Sequence, residues 1–150
     1  MNLHLPTRIC ADLDRALRRE WLVTNGIGGF AAGTVAGALT RRYHGLLIAA
    51  LNPPLGRTLL AVKLDETLET GGRRYPLYTN VWQTGVEAPA GAQWITRFDL
   101  RWGVPTWTYE TGRARLVKRI WMEHGRNATY VQYVLEKRSA HAVLAVRLLV

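Results

Sequence analysis

The sequence is short of several things at once. Its one cysteine, Cys10, excludes a disulfide framework and any zinc site built mainly of thiolates. Lysine is scarce, three residues against seventeen arginines, and acidic residues number eleven against twenty basic ones. Charge is missing altogether from Trp21 to Thr40, and after Glu20 no carboxylate follows until Asp65. The N-terminus, MNLHLPTRIC, lacks an apolar core of signal-peptide length, which predicts a chain that stays in the reducing cytoplasm. No internal repeat and no low-complexity segment breaks the chain.

What is present narrows the class. The 150 residues, 48% apolar, suffice for one domain with its own core. A net charge of +9 invites a nucleic-acid reading, but the arginines are scattered with no run longer than two, so no nucleic-acid partner is expected. The uncharged stretch from 21 to 40 has the length of a membrane span. Five of its residues between Gly26 and Gly37 are glycine, and each weakens a helix by about 1 kcal/mol relative to alanine, so no membrane partner is expected either. Gly26-Ile27-Gly28-Gly29-Phe30-Ala31 fits a loose dinucleotide fingerprint. That chemistry needs a following helix and an acidic residue ~20 positions on, and both are lacking, so no cofactor is expected. His4, His44, His124 and His141 have no metal-ligand spacing, and Cys10 as a nucleophile would rest on residue type alone.

The pattern of short apolar runs and turn signals predicts an all-β fold, an antiparallel β-sandwich. Residues 1–19 read as an N-terminal extension, irregular and then helical from about Ala11 to Arg19, and residues 20–150 as the sandwich. Trp21–Thr24 stops at the turn dipeptide Asn25-Gly26, and Phe30–Ala38 reads as a strand whose glycines let a neighbour approach closely. Tyr43–Leu51 reads as a central strand and Thr58–Leu64 as the next. Gly71-Gly72 marks a hairpin, and residues 84–92 a loop. The remaining strands are Trp94–Trp102, Thr106–Thr111, Ala114–Glu123, Thr129–Lys137 and Ala142–Val150. The last ends in mid-pattern without turn or polar cap, which predicts a piece of something longer.

Candidate binding residues gather around the glycine stretch. Asn25 sits at its turn, and Arg41-Arg42-Tyr43-His44 places two guanidinium forks, a phenol and an imidazole together, a set that suits hydroxyl-rich or anionic ligands. An ordered turn with its arginines paired to Glu20, Asp65 or Glu66 fits the same residues. On a strand, Arg41 and Tyr43 would share one face, Arg42 and His44 the other. Asp65-Glu66 is an acidic pair, but glycosidase carboxylates stand ~5–9.5 Å apart across a substrate, and strand neighbours diverge. They read instead as turn acids or arginine partners. Trp102 and Trp107, flanking Pro105, are candidate platforms for sugar stacking, against a core role for most aromatics in strands.

These residues carry a resemblance. EWLVTNGIGGFAAGTVAGALTRRYHGLL, then LNPPLGRTLLAVKLDET, YPLYTN, VPTWTYE and KRIWMEHGRNATYVQY, resemble the N-terminal domain of bacterial and archaeal glycogen debranching enzymes of the amylo-α-1,6-glucosidase type. The resemblance runs from about Glu20 to the end. It implies a supersandwich-like β domain that precedes an (α/α) toroid, similar to glucoamylase, in a glycoside hydrolase of glycogen catabolism. The toroid would carry the catalytic acids, leaving none in these 150 residues. Partners implied are that toroid, on the same polypeptide, and a branched α-glucan. Arg41–His44 would lie where sandwich meets toroid. A free-standing carbohydrate-binding sandwich is the alternative expectation.

Overall fold

Alternation of inward and outward side chains builds the protein. Along Val104–Glu110 every second residue, Pro105, Trp107 and Tyr109, is buried, and the residues between them are half-buried. Such half-buried strands must be covered on one face, and two layers of them meet in a single core. The computed structural model describes residues 2–82, 85, 87–138 and 141–150. In chain order its strands are β1 (Asn2–Pro6), β2 (Glu20–Thr24), β3 (Phe30–Thr34), β4 (Gly45–Asn52), β5 (Leu55–Ala61), β6 (Lys63–Thr70) and β7 (Arg73–Pro76). They continue as β8 (Thr79–Val81), β9 (Glu87–Ala90), β10 (Ile95–Arg101), β11 (Val104–Glu110), β12 (Ala114–Met122), β13 (Thr129–Arg138) and β14 (Ala142–Leu149). Two short helices, α1 (Thr7–Cys10) and α2 (Leu13–Leu17), lie between β1 and β2.

The fold is an all-β antiparallel sandwich. One layer is the five-stranded sheet β1-β10-β11-β12-β13. The facing layer combines β2-β3-β4-β5 with β14-β6-β7, joined at Val62, whose N–H donates to Leu149 O and whose carbonyl accepts from Leu46 N. Trp107 stands at the centre of the core, with the rings of Trp21 at 5.4 Å and Phe98 at 5.0 Å, both edge-on. Trp21 pairs across the ladder with Gly33, where an added Cβ would meet the indole at 3.4 Å, an ordinary van der Waals contact. A tryptophan ring thus packs on the glycine strand, at a distance that alanine would also allow.

Several elements differ from the sequence expectation. The irregular start is strand β1, paired with β10 along its whole length, and the helix is the shorter α2, capped by the Asp12 side chain accepting from Arg15 N. Strand 58–64 divides at Val62 into the ends of β5 and β6. Phe30–Ala38 shortens to β3, and residues 41–43 form a turn before β4 rather than part of it. Of the loop expected over 84–92, residues 84 and 86 lie outside the described residues, while Glu87–Ala90 is β9. The Gly71-Gly72 hairpin forms as expected, both glycines having positive φ, 56° and 71°.

Candidate functional site

The glycine loop is built around Asn25, which has no exposed surface. Its Oδ1 accepts from Ile27 N at 3.1 Å and Gly29 N at 2.9 Å, the local bonding that asparagine offers a turn. Its Nδ2 donates to Arg126 O and Asn127 Oδ1, each at 3.0 Å. Asn127 in turn accepts from Ala50 N and donates to Ala50 O. Two asparagines therefore clamp the β2–β3 loop, β4 and the β12–β13 turn together. Gly29 is required beside them, since a Cβ there would stand 2.7 Å from Asn127 Oδ1. Every polar atom of the Asn25 side chain is engaged inside the protein, so its role is that of a lock.

The cluster at 41–44 is a turn with a divided character. Arg41 and Arg42 are exposed, Tyr43 is 66% exposed, and His44 is buried. The alternation expected of a strand does not apply, because the backbone reverses here: His44 N donates to Arg41 O at 3.0 Å. Arg41 Nε pairs with Glu20 Oε1, one of the partners anticipated for it, and His44 Nε2 lies 3.6 Å from the same oxygen. His44 Nδ1 accepts from Thr40 N at 3.1 Å, which fixes the ring. Burial pushes the His44 pKa below its ordinary value, although the Glu20 charge pulls the other way. The Arg42 guanidinium sits 5.9 Å from the Tyr43 ring centroid. Tyr43, Leu22, Phe30 and the loop glycines enclose a shallow, mainly apolar depression of about 620 Å³, with Arg57 at its side.

Asp65 and Glu66 lie in the middle of β6, not in a turn, and both are buried. As strand neighbours they leave by opposite faces. Asp65 meets Lys63 Nζ at 2.9 Å and Arg147 Nη2 at 2.9 Å, on the face away from the core. Glu66 points between the layers, where its Oε1 accepts from Lys118 Nζ and, at 2.7 Å, from the Tyr133 hydroxyl. The Lys118 ammonium also stands 5.6 Å from the Trp107 ring centroid. Burial, then the Glu66 charge, raises the Tyr133 and Tyr109 phenols well above their ordinary range. A carboxylate held between an ammonium and a phenol is a satisfied internal ion pair. Its strand neighbour Asp65 is turned to the other face, so the two do not flank a common gap.

Trp107 is 3% exposed and its Nε1 donates to Val35 O at 2.9 Å. It therefore offers no stacking face, whereas Trp102 is 86% exposed. The two tryptophans read alike in the sequence, but only Trp102 lies in a turn. Cys10 is buried and its thiol is pushed up to about 11 by burial, which leaves no nucleophile at neutral pH. Sequence reasoning missed Lys118, Tyr133 and Asn127. Lys118 alternates with Leu116 and Ile120 on the inner face of β12, and that period of two was the available signal. Among the described residues no group of three or more His, Cys, Asp or Glu could hold a metal, and no helix is long and apolar enough to cross a membrane.

Set beside known proteins, residues 19–150 match the family model described as glycogen debranching enzyme N terminal. No curated protein and no solved structure matches the chain.

Proposed function

The chain belongs to the glycogen debranching enzyme N-terminal family, and from that premise we propose that it is the non-catalytic sandwich of a cytoplasmic amylo-α-1,6-glucosidase, seated on an (α/α) toroid of the same polypeptide. In this reading the toroid supplies the acids that hydrolyse the α-1,6 branch. The sandwich shapes the cleft and helps hold the branched α-glucan.

The observation that carries the docking assignment is the face around Tyr43. Leu22 and Tyr43, 57% and 66% exposed, line the depression with Phe30 and Arg57, and the Arg42 guanidinium stands over the Tyr43 ring. Large apolar side chains grouped inside a charged rim have the make-up of an interface. The Asn25–Asn127 clamp and the Glu20–Arg41 pair hold this surface in shape without occupying it. The non-catalytic role is supported by the carboxylates, since Asp65 and Glu66 diverge and both are engaged internally.

Glucose release from an α-1,6-branched limit dextrin tests the proposal, using the protein that joins this sandwich to its toroid. Leu22→Asp with Tyr43→Asp should lower release by about tenfold or more, as removing a buried interface anchor would. Undiminished release would remove the docking role, and no glucose from the unaltered protein would remove the enzyme assignment.

A further inference from the structure

The five-stranded sheet has an outer face that takes no part in the core or in the Tyr43 surface. Its floor mixes polar and apolar groups: Thr106 and Thr108 of β11 pair with Arg119 and Val117 of β12 and point outward with them. The arginines along it are each held by a neighbour. Arg97 Nη2 donates to Asp99 Oδ1 at 2.9 Å, Arg115 Nε to Glu110 Oε1 at 2.7 Å, and Arg119 Nη1 to Gln132 Oε1 at 2.9 Å. These planar donors and acceptors are therefore preset in orientation. The groove they line holds about 640 Å³, within the ~300–1,000 Å³ usual for small-ligand sites.

One aromatic ring, that of Trp102, stands at the end of this groove. Trp102 occupies the first position of the two-residue turn from β10 to β11, with φ 53° followed by Gly103 at 78°. Both positions require positive φ, which suits Asn-Gly and strains a bulky side chain. A tryptophan kept there, 86% exposed, is held in an unfavourable backbone state that its own packing does not repay. At the same end of the sheet, Trp121 of β12 and Tyr130 of β13 are cross-strand partners, stacked at 5.6 Å with planes 7° apart. The Tyr130 hydroxyl donates to Glu123 Oε2 at 2.8 Å. Thr106 pairs with Arg119, so Val104, beside the Trp102 turn, comes level with Trp121.

We propose that this outer face is a glucan-binding surface, in which Trp102 and Trp121 stack on the apolar faces of successive glucose units and the groove's arginine and carboxylate groups bond their hydroxyls. A sugar fits better than a polyanion because Asp99, Glu110 and Glu136 stand among Arg97, Arg101, Arg115 and Arg119, which leaves the lining close to neutral. That the sugar is an α-glucan rests on the debranching-enzyme reading. The site is a secondary one, on a different sheet from the docking face.

Titration of the chain with maltoheptaose, by calorimetry or tryptophan fluorescence, tests it. Trp102→Ala and Trp121→Ala should each weaken binding by about fivefold or more, the loss typical of an aromatic anchor. Trp82→Ala, at an exposed tryptophan outside the groove, should leave affinity unchanged. Trp102→Asn should lose binding while its Tm stays level or rises, since asparagine suits the turn, which separates loss of the site from loss of the fold. Affinity unaltered by Trp102→Asn, equal weakening by Trp82→Ala, or no binding at millimolar maltoheptaose would overturn the proposal. A sandwich that binds maltoheptaose but releases no glucose when joined to its toroid would sink the enzyme reading and leave this surface standing.

Discussion

Replacing Asn25 by alanine should unfold much of what shapes the Tyr43 face. The substitution deletes four side-chain hydrogen bonds, to Ile27, Gly29, Arg126 and Asn127, at a position with no exposed surface. At about 1 kcal/mol net per bond, the loss is about 4 kcal/mol. A domain of this size is stable by only ~5–15 kcal/mol. In a chain of this length each kcal/mol moves Tm by ~2–4 °C, so the expected fall is about 8–16 °C. Asn25→Asp sharpens the test because it keeps the shape. It puts a second carboxylate oxygen where Nδ2 donated, facing Arg126 O and Asn127 Oδ1. Asn127 has little freedom to turn its amide round, since both of its polar atoms are engaged with Ala50. The aspartate should therefore cost at least as much as the alanine at neutral pH. Thermal unfolding followed by circular dichroism measures both, with maltoheptaose affinity as a second readout. A fall in Tm below about 3 °C together with lost glucan affinity would refute the lock and make Asn25 a ligand residue.

Two further perturbations address the buried and half-buried charges. Lys118→Met alone leaves the Glu66 carboxylate unpaired between the layers and should destabilise by about 3–5 kcal/mol in urea unfolding, while Lys118→Met with Glu66→Leu should recover most of it. A double variant no more stable than the single one would mean that the pair matters through shape instead of charge. His44 supplies a pH signature. Its folded pKa lies below the unfolded one, so its contribution is complete above the ordinary histidine value of about 6.5 and is lost as pH falls through the folded value. Stability should therefore drop more steeply for the unaltered chain than for His44→Gln between about pH 7 and pH 5, and parallel curves would contradict the buried, neutral ring.

Local signals carried much of the fold. Asn25-Gly26 and Gly71-Gly72 turn where a φ above zero is needed, and Gly29 lies against the Asn25 and Asn127 side chains where a Cβ would clash. Trp107 reads in the sequence as a stacking platform beside Trp102, but its burial with Pro105 and Tyr109 on the inner face of β11 removes it from the surface. Strand β1 was illegible because its five residues gain their partner from β10, more than ninety positions later. The acids of β6 were placed in a turn for the same reason, although the arginine partner expected for such an acid is present at Asp65. Glu66 finds Lys118 across 52 positions and Asp65 finds Arg147 across 82, so the charges that permit their burial lie outside any local window. At Arg41–His44 a strand was inferred where the chain turns, because the apolar run of β4 begins only at Gly45.

Hydrogen exchange measured on the sandwich alone and joined to its toroid tests the docking of the Tyr43 face most directly. Protection gained in the toroid's presence over residues 22–30 and 40–44, with the outer face of β11 and β12 unchanged, is the expected result. Protection at the Trp102 end of the five-stranded sheet with none around Tyr43 would contradict it.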